Sequence, residues 1–170
     1  MWVSFLLIVS PLCSIADTLT GRVMGVSDGD TVTLLTKDNN KYKIRLMGID
    51  APEKKQDFGM ASKQSLSDLS YDKMATIDYN KRDRYGRIVG KILINGRDIN
   101  LEQVRKGMAW HYKKYQGEQE VEDRSIYANT EYEAQHDKRG LWSYKDPMPP
   151  WKFRKTSKNK SGTALGVEPK

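Results

Sequence analysis

Two short acidic segments carry the side chains that could do chemistry. Asp28 and Asp30 flank a glycine, and further along the chain Asp50 and Glu53 flank an alanine and Pro52. Because a proline restricts the residue before it to extended backbone, the second pair is expected on a rigid loop. Two carboxylates from separate loops and a backbone carbonyl form an oxygen-only ligand set, which suits a hard cation such as Ca²⁺. Taken alone, the first segment is also a common hairpin-turn signal.

Two arginines could bind a phosphate beside these carboxylates. Arg45 lies on an alternating segment before Asp50, and Arg87 ends a DRYGR turn at 83–87. The guanidinium is planar and permanently charged, which suits a phosphate whose negative charge grows during attack. An arginine on a strand can equally be a surface residue whose stem packs on the sheet. The residues alone leave both interpretations open.

The composition agrees with a protein that meets a polyanion. The chain has 170 residues, 30% of them charged, and a formal net charge of +7. This length is typical of one domain, and the polarity rules out a polytopic membrane protein. The only cysteine, Cys13, excludes an intrachain disulfide, and the two histidines lack zinc-ligand spacing. Positive charge alone does not distinguish nucleic acid from an anionic membrane surface.

Hydrophobic periodicity predicts the elements that must position these side chains. Alternating or β-branched runs predict five strands, and helical spacing predicts three helices, the last ending before Gly140. Five short strands would leave exposed edges in so small an open sheet, so we predict an α+β fold with a closed barrel. The predicted strands are 19–24, 31–35, 41–47, 75–79 and 87–94, and the predicted helices are 61–69, 99–106 and about 118–138.

Both ends are expected to lie outside a domain at 17–150. Residues 1–16 are apolar and end in small residues, which predicts a signal peptide cleaved after Ala16 and a secreted or periplasmic protein. An uncleaved membrane anchor is the alternative. Residues 151–170 follow two prolines and are rich in Lys and Ser, which predicts a flexible basic tail. Such a tail either solvates the terminus or binds nucleic acid by counterion release.

Three ordered segments resemble the staphylococcal nuclease (thermonuclease) family, in its secreted bacterial form. The resemblance covers about residues 19–142 and implies a five-stranded OB-fold β-barrel with three helices. It also implies a Ca²⁺-dependent phosphodiesterase that hydrolyses DNA and RNA and leaves 3′-phosphate ends; we expect a monomer. The three segments are VSDGDTV at 26–32, RLMGIDAPE at 45–53 and DRYGR at 83–87, with further echoes in NLEQVRKGMA at 100–109 and KRGLW at 138–142.

The resemblance implies roles for the acidic segments. Asp30 and Asp50 match the family's calcium carboxylates, and Glu53 matches its general base. Ala51 matches a position that binds calcium through its carbonyl oxygen, although the best-known member of the family has Thr there. Asp28 matches a nearby acidic position.

The resemblance also implies the groups that bind substrate. Arg45 and Arg87 match phosphate-binding arginines that stabilise the developing charge. Beyond residue 109 the match loosens, and two tyrosines lie where the family places substrate tyrosines; packing against the barrel is the alternative for both. The positions matched to substrate binding are Arg84, Tyr85, Tyr112 and Tyr115.

Two other classes of protein share parts of this pattern. A catalytically inactive OB-fold module that binds single-stranded nucleic acid would keep the basic and aromatic residues. Such a module is expected to lose at least one of the acidic or arginine residues matched to catalysis, and this chain keeps them all. A basic membrane-surface protein would need a basic amphipathic helix, and no segment has a convincing one. The sequence therefore predicts a secreted nuclease.

Overall fold

A computed structural model of the chain describes residues 17–163. The predicted signal peptide lies outside the described residues, as do the last seven residues of the predicted tail. Between residues 17 and 163, no helix combines the length and hydrophobicity needed to cross a bilayer.

Five strands close into a barrel. The strands of the structure are β1 Asp17–Asp28, β2 Thr31–Leu35, β3 Lys41–Leu46, β4 Ile49–Asp50, β5 Met74–Arg82, β6 Ile88–Ile94, β7 Arg97–Asp98 and β8 Trp110–His111. β1 pairs antiparallel with β2 and β5, β2 pairs with β3, and β5 pairs with β6. A parallel pairing of β3 with β6 then closes the sheet, which confirms the predicted five-stranded α+β barrel. β4 and β8 form a separate short pair.

The long first strand makes closure possible. Its first half pairs with β5 and its second half with β2, and the two ladders overlap only near Arg22. Register shifts follow at Val23/Gly25 and Val26/Asp28. Such bulges bend a strand and increase its twist, so one strand can serve two sides of a barrel. This strand is longer than predicted because its ends carry polar residues that periodicity does not detect.

Three helices lie where the sequence predicts them, and a fourth helix, at the end of the described residues, was not predicted. α1 is Gly59–Ser70, α2 is Ile99–Arg105 and α3 is Val121–His136. The third is shorter than predicted because residue Gln119 is extended and Lys113–Glu118 forms a separate 3-10 helix. A second 3-10 helix follows α3 at Gly140–Ser143.

Residues Pro150–Thr163 form α4, so the prediction of a flexible segment starting at 151 is wrong for this range. Pro150 occupies the first helical position, where its fixed φ and missing N–H are favourable. The next residue, Trp151, gives the helix an aromatic contact with the rest of the fold. A segment that is polar in composition therefore folds because its first turn packs.

Aliphatic residues at alternate strand positions fill the barrel, and one buried amide ties its closing strands together. Val32, Leu34 and Ile44 are fully buried. Asn100 of α2 is also buried and donates to the carbonyls of Met47, at 3.0 Å, and Gly90, at 3.1 Å. It thereby joins the ends of β3 and β6, where the barrel closes beside the second acidic segment.

Candidate active site

The two acidic segments lie against each other at one end of the barrel. Asp28 ends β1 and accepts a hydrogen bond from the backbone N–H of Asp30 at 3.2 Å. Asp30 in turn accepts the N–H of Ala51, from the second segment, at 2.8 Å. Asp30 is 6% exposed and Asp50 is 1% exposed. The tertiary structure therefore joins carboxylates that lie far apart in the chain.

The glycine of the first segment, Gly29, is required by packing. A Cβ atom built on Gly29 would lie 1.8 Å from the Oγ of Ser62 in α1 and 2.7 Å from the Cβ of Ala51. Real Cβ atoms do not approach side chains so closely. The acidic loop is therefore pressed onto α1 without room for a side chain.

Gln103 of α2 holds this loop in place, a role that the sequence did not indicate. Its amide nitrogen donates to the carbonyls of Gly29, at 2.8 Å, and Ser62, at 3.1 Å. Its amide oxygen accepts the hydroxyl of Ser65 at 2.6 Å. The side chain is fully buried, and it supplies the donor for the carbonyl of Gly29 and the acceptor for the hydroxyl of Ser65.

Replacing Gln103 by methionine should destabilise the protein. The thioether has a similar volume, but it leaves the carbonyl of Gly29 without this donor and the hydroxyl of Ser65 without this acceptor, and each such buried group costs about 1–3 kcal/mol. We expect the free energy of unfolding, measured by urea denaturation, to fall by about 2–4 kcal/mol. Gln64→Met, at an exposed position of α1, is the matched control. Equal losses in both variants would contradict a positioning role for Gln103.

Arg45 binds both acidic segments from β3. Its Nη1 donates to the carbonyls of Leu46, at 2.7 Å, and Ile49, at 2.9 Å. Its Nη2 lies 3.1 Å from carboxylate oxygens of both Asp30 and Asp50. The side chain is only 15% exposed. The guanidinium is therefore part of the site, and the interpretation of Arg45 as a surface residue is wrong.

Negative charge exceeds positive charge around Asp30. Its pKa is raised to about 7, chiefly by burial; Arg45 and the N–H of Ala51 act to lower it, and the neighbouring Asp28 and Asp50 act to raise it. A carboxyl group shifted in this way gains from any additional cation nearby.

A second guanidinium, which the sequence analysis missed, comes from α4. Arg154 lies 2.7 Å from Oδ2 and 3.1 Å from Oδ1 of Asp50, and 2.8 Å from Oε1 of Glu53. These hydrogen bonds, with that to Asp50 the strongest, raise the pKa of Arg154. The sequence analysis placed Arg154 in a flexible basic tail, whereas the structure places it on a helix and in contact with two site carboxylates. The available signal was Trp151, a large aromatic residue three positions earlier in an otherwise polar segment.

Glu53 is the most accessible of the central carboxylates. Its side chain is 41% exposed, and its backbone N–H donates to the side chain of Gln56 at 3.2 Å. That contact fixes the loop between β4 and α1. Glu53 therefore faces solvent directly beside the buried Asp50.

Arg84, Tyr85 and Arg87 form a separate group on the turn between β5 and β6. Arg87 pairs with Asp83 at 2.7 Å rather than with the two acidic segments. Burial acts to raise the pKa of Asp83, but the hydrogen bonds from Arg87 and Tyr85 outweigh it, so the pKa is lowered. The Cζ atoms of Arg84 and Arg87 lie 4.8 and 5.5 Å from the centre of the Tyr85 ring, which is 68% exposed.

Strand register relates this turn to the acidic cluster. Val89 of β6 pairs with Arg45 of β3 in the parallel ladder. Arg87 immediately precedes β6, so the turn enters the barrel beside the strand that carries Arg45.

The two candidate tyrosines have different environments. Tyr112 stacks against Trp151 of α4, with ring centres 5.3 Å apart and planes within 9°. Burial and the nearby Asp50 raise the pKa of Tyr112, although a hydrogen bond with Arg154 acts to lower it. Tyr115 meets the edge of Tyr112 at 4.9 Å and is 44% exposed. One face of Tyr112 is thus covered, whereas Tyr115 presents ring surface to solvent.

The oxygen atoms of the two acidic segments suit a hard cation. Among residues 17–163, no three His, Cys, Asp or Glu side chains are grouped so that they alone could hold a metal ion. The site instead offers the carboxylates of Asp30 and Asp50 and the adjoining backbone of Ala51. Oxygen donors with excess negative charge fit a hard cation whose remaining ligands are waters.

Comparisons with known proteins agree with this fold. The sequence model of the family described as staphylococcal nuclease homologue matches residues 43–144. A protein named uncharacterized endonuclease, from Haemophilus influenzae, is 43% identical over 139 residues, which cover 82% of this chain and 75% of that protein. A protein named micrococcal nuclease, from Shigella flexneri, is 36% identical over 148 residues, which cover 82% of each chain. The matched region contains the barrel closure and the second acidic segment, and the chain belongs to the staphylococcal nuclease family.

Proposed function

We propose that the protein is a Ca²⁺-dependent endonuclease that hydrolyses DNA and RNA with little sequence specificity and leaves 3′-phosphate ends. The observation that carries this proposal is the contact network of Asp30, Arg45, Asp50 and Glu53 at one end of the barrel. Two relatives, named uncharacterized endonuclease and micrococcal nuclease, support it. The product ends and the Ca²⁺ requirement rest on the family resemblance.

Asp30, Asp50 and the carbonyl of Ala51 would hold the cation. When bound, Ca²⁺ would supply Lewis-acid polarisation of the scissile phosphate. Arg45 keeps the two carboxylates together, since it contacts both at 3.1 Å. The buried backbone N–H of Ala51 fixes one oxygen of Asp30, so the donor set is preorganised.

Glu53 is the proposed general base. Its exposure lets a water molecule approach, and its pairing with Arg154 involves Oε1, which leaves the second oxygen to accept a proton. Arg45 and Arg87 are proposed to bind the phosphoryl oxygens and to stabilise the charge that develops on them. For Arg87 this requires exchange of its partner Asp83 for the substrate phosphate.

The proposed substrate contacts are stacking surfaces and charges. Tyr85 and Tyr115 are exposed aromatic rings that a base can stack on, and Arg84 lies beside the first of them. Stacking of this kind tolerates every base, because each has a π-face. Together with a net charge of +7, it favours binding without sequence preference.

We further propose a secreted or periplasmic protein that acts as a monomer. The location rests on the apolar segment at 1–16, which lies outside the described residues. An anchor retained in the membrane stays the alternative, and the mass of the mature protein would distinguish the two.

Metal dependence tests the proposed function. Purified protein is incubated with single- and double-stranded DNA and RNA, with Ca²⁺, with Mg²⁺ or with a chelator. We expect cleavage at about millimolar Ca²⁺, the affinity range of sites outside cells, and little with Mg²⁺, which requires a stricter octahedron.

An Asp50→Asn variant, purified in parallel, controls for contaminating nucleases. Cleavage by the wild type in chelator would contradict the proposal. Binding without cleavage under every condition would instead indicate the inactive single-strand-binding module.

A further inference from the structure

Helix α4 lies across the acidic cluster, and its first turns are anchored there by aromatic contacts. Trp151 stacks on Tyr112 and meets the edge of Trp110 at 5.5 Å. Just before the helix, the carbonyl of Met148 accepts a hydrogen bond from Gln56, in the loop that carries Glu53. Trp151 and Arg154 are three residues apart, so they project from the same face of α4. The anchor therefore directs Arg154 into the cluster.

The charge balance indicates what Arg154 does there. In their ionised forms, Asp28, Asp30, Asp50 and Glu53 contribute four negative charges, whereas Arg45 and Arg154 contribute two positive charges. A divalent cation would bring this sum of −2 to zero. If Arg154 left the site, the acidic cluster with its cation bound would keep a net negative charge and would repel a phosphodiester. Arg87 does not enter this count because it is paired with Asp83.

We propose that Arg154 is a third substrate-binding arginine, delivered to the scissile phosphate by α4. This inference rests on the proposed function. In this structure its guanidinium pairs with Asp50 and Glu53. With a cation held by Asp50, the same group would exchange these carboxylates for a phosphoryl oxygen of the substrate. Its planar fork suits two phosphoryl oxygens at once. Trp151 is then a positioning residue, because it fixes the helix without touching the phosphate.

The opposite role would be inhibition. If α4 is an inhibitory segment, Arg154 blocks the carboxylates until the helix leaves the site. Removing the Arg154 side chain should then activate the enzyme. The two roles predict changes of opposite sign in turnover at saturating Ca²⁺. The substitution of Arg154 therefore distinguishes them.

The test compares Arg154→Ala and Arg154→Lys with Lys155→Ala, which removes one exposed positive charge from the next position of α4. Binding is measured by fluorescence anisotropy, in Ca²⁺, with a labelled phosphorothioate thymidine decamer that keeps its charge and resists cleavage. We expect Arg154→Ala to weaken binding about tenfold or more, as expected for loss of a charge-assisted hydrogen bond. Its kcat on unmodified single-stranded DNA should fall about 100-fold. Arg154→Lys should recover most of the binding but little of the kcat, since it restores the charge and not the fork.

Calorimetric titration with Ca²⁺ alone tests the contact itself. Arg154→Ala should bind Ca²⁺ more tightly than the wild type, because no guanidinium competes for Asp50, whereas Lys155→Ala should not. A rise in kcat for Arg154→Ala would overturn the proposal in favour of inhibition. Decamer binding or Ca²⁺ affinity that matches Lys155→Ala would overturn it as well. If the wild type binds the decamer but cleaves nothing, the proposed function fails, and the binding comparison still decides whether Arg154 contacts phosphate.

Discussion

Glu53→Gln should keep the protein folded and able to bind substrate while its kcat falls by about 10²–10⁴-fold, the usual effect of losing a general base. The amide retains the size of the carboxylate and can still accept a hydrogen bond from Arg154, which lies 2.8 Å from Oε1. It cannot accept a proton from water. The decisive measurement is kcat and KM at saturating Ca²⁺ over a range of pH.

Glu122→Gln is the matched control for this prediction. Glu122 is an exposed carboxylate in the first turn of α3, and its replacement removes the same charge away from the site. We expect it to leave kcat within about twofold of the wild type, since surface substitutions have small effects. An unchanged kcat in Glu53→Gln would reduce Glu53 to a structural carboxylate that anchors α4 through Arg154.

Arg45→Lys should cause the second largest loss. Arg45 donates to two carbonyls and contacts two carboxylates, and one ammonium group cannot reach all four. Because Asp30 and Asp50 are nearly buried, an imperfect counter-charge leaves them repelling each other. We expect kcat to fall by about 10²–10³-fold, as for the loss of one preorganised donor to the transition state. Calorimetry should also detect a lower affinity for Ca²⁺, because the two carboxylates are no longer held together.

Arg22→Lys provides the comparison at an exposed site. Arg22 of β1 pairs with Asp72 with both side chains about half exposed or more, and such pairs contribute little. Its replacement should leave kcat and Ca²⁺ affinity unchanged. If Arg45→Lys behaves like Arg22→Lys, the arginine on β3 neither organises the carboxylates nor binds phosphate.

The sequence predicted the barrel because its strands are locally specified. Alternating runs such as 41–46 must place one face inside, and five such strands in a short chain must close. It also placed α1, α2 and most of α3, whose apolar residues recur at helical spacing. It did not predict the extent of β1, because whether polar ends extend a strand depends on which partners lie beside them.

The candidate site divides in the same way. Four residues were recognised because their types and order match a known pattern: Asp30, Arg45, Asp50 and Glu53. In the structure Arg45 contacts Asp30 and Asp50 directly, and Arg154 links Asp50 to Glu53. Their roles in catalysis stay predictions until the variants are measured. The tyrosines could not be separated by alignment, and only the stacking of Trp151 on Tyr112 distinguishes their exposure.

By itself, the sequence determined the family, the barrel and the residues of the acidic cluster, because these depend on local patterns and ordered motifs. Only the tertiary structure decided what surrounds that cluster. Gln103 reaches Gly29 across 74 positions of the chain and Arg154 reaches Asp50 across 104, and no local pattern encodes such a contact. A buried amide and a guanidinium acquire their function from the unpaired groups they meet. Those partners exist only once the barrel has closed and α4 has packed against it.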